Sequence, residues 1–308
     1  MEKVLITGGA GFIGSHLVEY LQAKGFEVAV ADNLATGKKG NIPSDVTLYQ
    51  VDVCSNQLKD AFEQFNPDVV IHLAAQSGVG HSLIDPQTDA RVNIIGAINV
   101  LELCKSHNVE KIVFSSSAAV YGNNIQVPIT EGAPLSPMSP YGLSKSIVEK
   151  YLDLYRQLFG ISYTILRFSN VYGPRQNPYV ESGVISIFIE KLVKNKIPVI
   201  FGDGKQTRDF IYVKDVCEAV MLSMFQKQSF IYNISSGVET SINDLLILMC
   251  SLMGKDFCPK YSESRSADIL KSCLDNNKAV SELSWIPKTT LNDGIQQVLQ
   301  SSSILSRL

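Results

Sequence analysis

The chain has 308 residues, 45% of them hydrophobic and 19% charged, which excludes disorder as its overall state and fits about two domains or one large α/β domain. Its 27 basic and 30 acidic residues give a formal net charge of −3, so no general attraction to nucleic acid or to an anionic membrane surface is expected. No apolar run reaches the ~20 residues that span a bilayer. Met1-Glu2-Lys3 leads straight into Val4-Leu5-Ile6, without the basic start and apolar stretch of a secretory signal, so a cytoplasmic location is expected. Six cysteines, at 54, 104, 217, 250, 258 and 273, form no C-x-x-C pair, and His16, His72, His81 and His107 make no ligand spacing with them. Free thiols are expected, with neither a metal site nor a disulfide framework.

Short β-branched runs alternate with longer amphipathic stretches. Strands are expected at 3–7, 27–31, 46–51, 69–72, 111–114 and 162–167, and helices near 12–24, 55–65, 90–107 and 141–159. Strands joined through helices make crossovers, hence an α/β fold with a doubly wound parallel sheet covered on both faces. After about residue 172 the rhythm changes. Tyr172-Gly-Pro-Arg-Gln-Asn-Pro-Tyr179 is rich in breakers, and shorter elements follow: helices near 183–194, 214–226, 241–252 and 291–302, a strand at 198–201 and a turn at 202–204. The expected partition is a nucleotide-binding domain over 1–172, rejoined by about 209–235, and a smaller, discontinuous α/β substrate domain within 173–308. A ligand is expected in the cleft between them.

Thr7-Gly8-Gly9-Ala10-Gly11-Phe12-Ile13-Gly14 follows the first strand and opens a helix. That context turns a glycine pattern into a dinucleotide site: glycines permit a tight turn and let backbone amides at the helix N-terminus approach a pyrophosphate. Asp32 ends the second strand, at the spacing of the acidic residue that accepts hydrogen bonds from the adenosine ribose. A carboxylate there repels a 2′-phosphate, so NAD is expected over NADP, although Lys38 and Lys39 lie close by.

Tyr141-Gly-Leu-Ser-Lys145 places a phenol and an ammonium on one helical face, with Pro140 suited to the helix start. The cation is expected to lower the phenol pKa and make a general base. The spacing is common by chance; its position carries the argument, in the helix after the fifth strand, about 25 residues past Ser115-Ser116-Ser117 at that strand's carboxyl end. A hydroxyl at this edge can hydrogen-bond a substrate oxygen, and Ser117 is taken up below with the family resemblance. Ser115 and Ser116 read first as satisfying their own loop, with Ser115 also at the cofactor edge.

These residues together resemble the extended short-chain dehydrogenase/reductases, of Rossmann-type fold, and more narrowly the NAD-dependent UDP-hexose 4-epimerases. The motifs run in family order from Val4 to about Leu291. They include Asp32-Asn33, Asp52-Val53, His72-Leu-Ala-Ala75, Asn93, Ser115-Ser-Ser-Ala-Ala-Val-Tyr-Gly122, Leu166-Arg-Phe-Ser-Asn-Val-Tyr-Gly-Pro-Arg175, Gly202-Asp-Gly-Lys-Gln-Thr-Arg-Asp-Phe-Ile-Tyr-Val213, Arg265-Ser-Ala-Asp268 and Leu283-Ser-Trp-Ile-Pro287. The resemblance implies Tyr141 as catalytic base, Lys145 on the nicotinamide ribose and Ser117 on the sugar's 4-oxygen. It implies Gly8, Gly11, Phe12, Ile13, Gly14, Asp32 and Asn33 around the cofactor, Asp52 and Val53 beside the adenine, and Leu73, Ala74, Ala75 and Asn93 along its path. Asn170 would contact the diphosphate, Phe201 the uracil, Arg208 and Arg265 the pyrophosphate, and Asp268 the uridine ribose. The implied chemistry removes and returns hydrogen at C4 through a 4-keto sugar. A homodimer through the helices near 90–107 and 141–159 is implied as well.

Where related dehydratases carry acidic residues, this chain has Ser116, Ser117 and Ala118, which favours epimerisation over elimination. Ala119, Ser77 and Phe168 depart from threonine, lysine and tyrosine of the galactose type. Ser272 falls where the family sets a side chain against the sugar's C2 substituent. A small residue there leaves room for N-acetyl, so UDP-GlcNAc/UDP-GalNAc is expected alongside UDP-Glc/UDP-Gal. A UDP-glucuronate 4-epimerase, with Arg175 as a candidate partner for the C5 carboxylate, is the alternative. A different nucleotide-sugar enzyme, or a non-catalytic NAD-binding protein on the same fold, stands behind it.

Overall fold

The computed structural model describes residues 2–124, 126–179, 183–256, 258–264 and 269–301. Seven strands build its main sheet: β1 (Lys3–Thr7), β2 (Glu27–Asp32), β3 (Thr47–Gln50), β4 (Val69–His72), β5 (Lys111–Ser117), β6 (Ser162–Phe168) and, later in the chain, Phe230–Ile234. The order is β3-β2-β1-β4-β5-β6 followed by Phe230–Ile234 at the edge, and every pairing is parallel. It is a Rossmann-type sheet. The chain moves outward from β1 to β3, then jumps back to place β4 on the other side of β1. Ligands of open α/β sheets bind beside such a reversal, at the carboxyl ends of the strands.

The helices between these strands are α1 (Phe12–Ala23), α2 (Leu58–Phe65), α3 (Val79–Ile84), α4 (Pro86–Ala90), α5 (Gly96–Ser106) and α6 (Pro140–Phe159). Side chains alternate across each strand, so Val4 and Ile6 enter one core while Leu5 enters the other. Leu5, Val70, Ile112 and Ile165 pack under Phe62 of α2, Leu101 of α5 and Leu152 of α6. On the opposite face, Val4, Ile6, Ile71 and Leu166 pack against Leu17 and Leu21 of α1 and against the helix at Val213–Met224. Burial on both faces explains why these strands read as continuous apolar runs.

The later elements are β7 (Asn170–Tyr172), α7 (Val184–Val193), β8 (Val199–Phe201), β9 (Thr207–Tyr212), α8 (Val213–Met224), β10 (Phe230–Ile234), β11 (Glu239–Ser241), α9 (Ile242–Met253), β12 (Lys260–Ser262), α10 (Asn277–Leu283) and α11 (Leu291–Leu299). β11, β9 and β7 form a small sheet, and β12 pairs with β8. The core beneath α1 continues through Phe188, Phe210, Leu245, Trp285 and Ile295, so these elements share it.

Sequence periodicity places the first six strands within about three residues but contains no β7, β9, β10, β11 or β12. The helix expected over 90–107 is interrupted: residues Arg91–Ile95 form a π-turn before α5. Among the described residues no helix is long and apolar enough to cross a membrane.

A buried ion pair joins α6 to the sheet. Glu149 of α6 receives two bonds from Arg167 of β6, Nε to Oε1 at 2.9 Å and Nη2 to Oε2 at 2.6 Å. Both side chains are under 5% exposed. Glu149→Gln leaves the guanidinium buried with its charge uncompensated, and is expected to lower stability by about 3–5 kcal/mol in urea unfolding. The double variant Glu149→Leu, Arg167→Met is expected to recover most of that loss.

Candidate active site

The strand ends bring the site together. Thr7 lies in register with Ala31 on one side and His72 on the other, and His72 with Phe114. The glycine turn after β1, Asp32 of β2, Leu73–Ala75 after β4 and the serines closing β5 therefore share one edge. Leu73 N donates to Thr7 O at 3.1 Å and Ala74 N to Thr7 Oγ1 at 3.3 Å. Thr7 Oγ1 also meets His72 Nδ1 at 2.7 Å. Burial lowers the His72 pKa to about 3, so this imidazole is neutral and structural.

The turn fits a dinucleotide. Gly8 has φ +73°, and a Cβ there would lie 2.7 Å from Ala74 N. A Cβ on Gly14 would meet Gly8 O at 2.2 Å, so α1 can leave the sheet this closely only with glycine. Gly11 is different: its Cβ would touch only Gly8 O, at 3.3 Å, and its bare face is open. No side chain caps the first turn of α1, so the amides at Phe12 and Ile13 remain oriented toward an anion. The Phe12 side chain itself turns into the core. A cleft of about 390 Å³ runs from Ala10, Gly11 and Lys38 to Gly173, Arg175 and Ile185.

Asp32 is buried, and its carboxylate accepts from Ala10 N at 2.9 Å and from Leu34 N at 2.8 Å. These bonds fix its orientation beside the turn. Asn33 Nδ2 donates to Asp52 Oδ2 at 2.9 Å, and Cys54 N to Asp52 Oδ1 at 2.8 Å. These bonds hold the Asp52 carboxyl below its ordinary pKa against the opposing effect of burial. Val53 packs beneath Gly96.

Tyr141 and Lys145 stand on the first two turns of α6. Ser139 caps this helix by accepting from Gly142 N at 3.1 Å, and Pro140 occupies its first position. The Ser117 side chain faces the Tyr141 phenol and favours its ionised form. Ser117 Oγ accepts from Ala119 N at 3.2 Å, so its own proton is not used in that bond. Lys145 Nζ donates to Ser115 O at 2.9 Å and sits 4.8 Å from the centre of the Phe114 ring. The Ser115 hydroxyl turns away, to His72 O at 3.2 Å. Asn93, on the π-turn, accepts from Gln76 N at 2.8 Å and donates to Ser144 Oγ at 3.1 Å, tying the loop after β4 to α6.

One expectation is corrected here. The protein alone does not lower the Tyr141 pKa: burial pushes it up to about 12, against the effect of Ser117, which favours the phenolate. Lys145 Nζ is drawn to Ser115 O and lies 5.8 Å from the Tyr141 ring centre. Burial in turn lowers Lys145 to about 8, opposed by the charges of Asp89 and Glu149. Without a further positive charge in the site, Tyr141 stays protonated.

Of the residues expected around a nucleotide, Asn170 is exposed on β7 and Phe201 half-buried at the end of β8. Arg208, on β9, donates through Nη1 to Thr207 O at 2.8 Å and Ile269 O at 2.6 Å. Arg265 and Asp268 lie outside the described residues. Ser272 is buried next to Cys273, whose carbonyl accepts from Ile129 N at 2.8 Å, and Leu274 packs with Val120 and Tyr121 just after Ser117. Arg175 turns toward α1 and pairs with Glu19 at 2.5 Å. Asp89 and Glu149, both buried beside Lys145, have no part in the sequence reading. A lone carboxylate on a helix, or one four residues after a lysine, ordinarily marks a solvated face.

A profile of the NAD dependent epimerase/dehydratase family matches residues 4–235. Three solved structures are similar over nearly the whole chain. A UDP-glucose 4-epimerase of Thermotoga maritima with UDP-glucose has a TM-score of 0.95 at 39% identity, covering 99% of each chain. A UDP-glucose 4-epimerase of Thermus thermophilus in complex with NAD has a TM-score of 0.91 at 40% identity, covering 96% of this chain and 97% of its own. A UDP-N-acetylglucosamine 4-epimerase of Methanobrevibacter ruminantium, in complex with UDP-N-acetylmuramic acid, has a TM-score of 0.90 at 33% identity, covering 97% and 98%.

The glycines separate binding from folding. Gly11→Val is expected to change stability by less than about 1 kcal/mol in urea unfolding while weakening dinucleotide binding at least about tenfold by calorimetry. Gly14→Ala forces α1 away from the sheet and is expected to cost about 2 kcal/mol of stability.

Proposed function

The chain belongs to the NAD-dependent epimerase/dehydratase family, and on that premise we propose that it is an NAD-dependent UDP-hexose 4-epimerase accepting UDP-GlcNAc/UDP-GalNAc as well as UDP-Glc/UDP-Gal. The observation that carries the reading is Tyr141 facing Ser117, beside a buried Lys145, at the carboxyl edge of the sheet. No carboxylate stands at residues 116–118, so the site lacks the acid and base for eliminating water. The NAD and UDP-glucose in the similar structures agree with this reading.

In this scheme the turn from Gly8 to Gly14 holds the pyrophosphate on the first amides of α1, and Asp32 accepts from the adenosine ribose. Asp52 and Val53 flank the adenine, with Asn33, Leu73, Ala74, Ala75, Asn93 and Ser115 along the path. When bound, NAD supplies the acceptor and donor of hydride for C4, and its positive nicotinamide favours the Tyr141 phenolate. Tyr141 then takes the proton of the 4-hydroxyl while Ser117 holds the 4-oxygen. Lys145 uses one N–H on Ser115 O and keeps others for the nicotinamide ribose. Asn170, Phe201, Arg208, Arg265 and Asp268 grip the UDP half while the 4-keto sugar turns. The same Tyr141 returns the proton when reduction occurs on the other face.

Acceptance of the N-acetyl pair rests on Ser272, a small buried side chain on the segment that packs beside Val120 and Tyr121. The glucuronate alternative is weakened by the Arg175–Glu19 pair, which takes up the charge a C5 carboxylate needs. A homodimer is part of the proposal: Leu143, Leu154 and Leu158 leave an apolar stripe exposed on α6.

The test incubates purified protein with UDP-Glc, UDP-Gal, UDP-GlcNAc and UDP-GlcA separately, with products identified by proton NMR. Interconversion of UDP-GlcNAc and UDP-GalNAc is expected; turnover of UDP-GlcA alone overturns the substrate assignment. Tyr141→Phe and Lys145→Ala are each expected to lower kcat at least about 100-fold. Because Lys145 must stay charged and its pKa is lowered to about 8, kcat is expected to fall as pH rises through that region. Ser272→Tyr is expected to abolish turnover of the N-acetyl pair and spare UDP-Glc; equal loss on both would refute the gate.

A further inference from the structure

In the stretch from Gly202 to Val213, Arg208 has a place in the proposed chemistry and its neighbour Asp209 has none. Asp209 lies on β9 and is fully buried. Its Oδ1 accepts from Ser236 N at 2.9 Å, from Ser236 Oγ at 2.8 Å and from Ser169 Oγ at 3.2 Å. Its Oδ2 accepts from Gly237 N at 3.1 Å and from Leu274 N at 3.3 Å, and the Cys273 thiol lies 3.7 Å from the same oxygen. These donors come from three separate segments. Ser169 lies between β6 and β7, Ser236 and Gly237 follow β10, and Cys273 and Leu274 belong to the stretch that carries Ser272.

This donor set admits a carboxylate and excludes its amide. A backbone N–H can only donate, and at least one faces each oxygen of Asp209. An asparagine would set its own NH2 group against Ser236 N in one orientation and against Gly237 N and Leu274 N in the other. The bonds also favour the ionised carboxyl against the cost of burial.

The stretch that carries Ser272 meets β9 at two places. At one, Thr207 N donates to Leu270 O at 2.9 Å and Arg208 Nη1 to Ile269 O at 2.6 Å. At the other, Leu274 N donates to Asp209. Ser272 sits between them and is buried. Its other side is bridged to Ile129, whose N donates to Cys273 O at 2.8 Å. That bridge alone would let the stretch pivot; Asp209 ties it to the strand of Arg208.

We propose that Asp209 is a positioning residue for the sugar side of the cleft: its carboxylate pins the stretch that carries Ser272 to β9 and so fixes the room left for a substituent at C2 of the sugar. The pinning follows from the bonds themselves. Its effect on the sugar rests on the 4-epimerase reading, with Ser272 as the residue at C2.

The test is Asp209→Asn, read first through Cys273. Iodoacetamide labelling followed by mass spectrometry reports each thiol separately. Cys273, 5% exposed in the wild type, is expected to label at least about fivefold faster, while Cys104 and Cys217, buried elsewhere in the core, keep their rates. The N-acetyl group that fills the pocket loses its wall. KM for UDP-GlcNAc is therefore expected to rise at least about tenfold relative to that for UDP-Glc, with kcat on UDP-Glc lowered less than about threefold and dinucleotide binding unchanged. Equal acceleration at all three thiols assigns Asp209 to general stability and overturns the proposal, as does unchanged labelling of Cys273. Faster labelling of Cys273 with both KM values raised equally overturns the effect at C2. Faster labelling of Cys273 alone, in a protein whose wild type turns over no UDP-hexose, sinks the 4-epimerase reading and leaves the pinning standing. Should Asp209→Asn fail to fold, amide exchange in the wild type, followed by NMR, provides the second measurement. The amides of Ser236, Gly237 and Leu274 share one carboxylate and are expected to open together, with protection factors within about tenfold of one another; a wider gap overturns the proposal.

Discussion

Where β5 ends, three successive serines meet α6, and each meets it differently. Ser115 offers its carbonyl to Lys145, Ser116 donates its hydroxyl to Glu149 at 2.6 Å, and Ser117 faces the Tyr141 phenol. Glu149 lies one helical turn beyond Lys145, as Lys145 lies one turn beyond Tyr141. The helix thus meets the strand at two residues proposed for chemistry and at one that carries only structure. The structural point is anchored by Arg167, which stands in register with Ser116 on β6. A buried bidentate pair is a weak source of stability but a stiff one, because any shift leaves a charge uncompensated.

The same anchor reaches the rest of the cleft. Arg167 Nη1 donates to the Tyr121 hydroxyl at 2.8 Å, and Tyr121 to Asn233 Oδ1 at 2.7 Å. Asn233 Nδ2 then bonds Ile129 O at 2.9 Å and Asp275 O at 3.1 Å. One chain of polar contacts therefore runs from α6, through β6 and β10, to the segment that carries Ser272. It gives β10, late in the chain, a reason to be in the sheet: it ties the segment of Ser272 to the strand ends where the candidate site lies.

Much of the site was legible because its chemistry is local. The glycine turn needs its spacing within eight residues, and Tyr141 and Lys145 need only one helical turn between them. Asp32 follows from the end of a strand whose apolar run is unmistakable. Asp89 escapes because nothing near it in sequence distinguishes a buried carboxylate from a solvated one. Glu149 and Arg167 escape for a related reason, since their partnership depends on the register of α6 over β5 and β6. The phenol's acidity was misjudged from the spacing alone: the sequence shows a nearby lysine, whereas the fold shows that lysine turned to Ser115 and the phenol buried.

Taken by itself, the sequence determined the α/β class and the glycine turn that opens α1, and it nominated Asp32, Tyr141, Lys145 and Ser117 as candidates for the site. Each depends on residue type and on contacts only a few positions apart, which composition and period report directly. The tertiary structure decided which charges stand uncovered, which hydroxyls face the cleft and which segments meet across it. Those depend on burial and on partners dozens of residues distant, such as Ser116 with Glu149 and Arg175 with Glu19. Desolvation acts on the folded surroundings of a group and not on its neighbours in the chain.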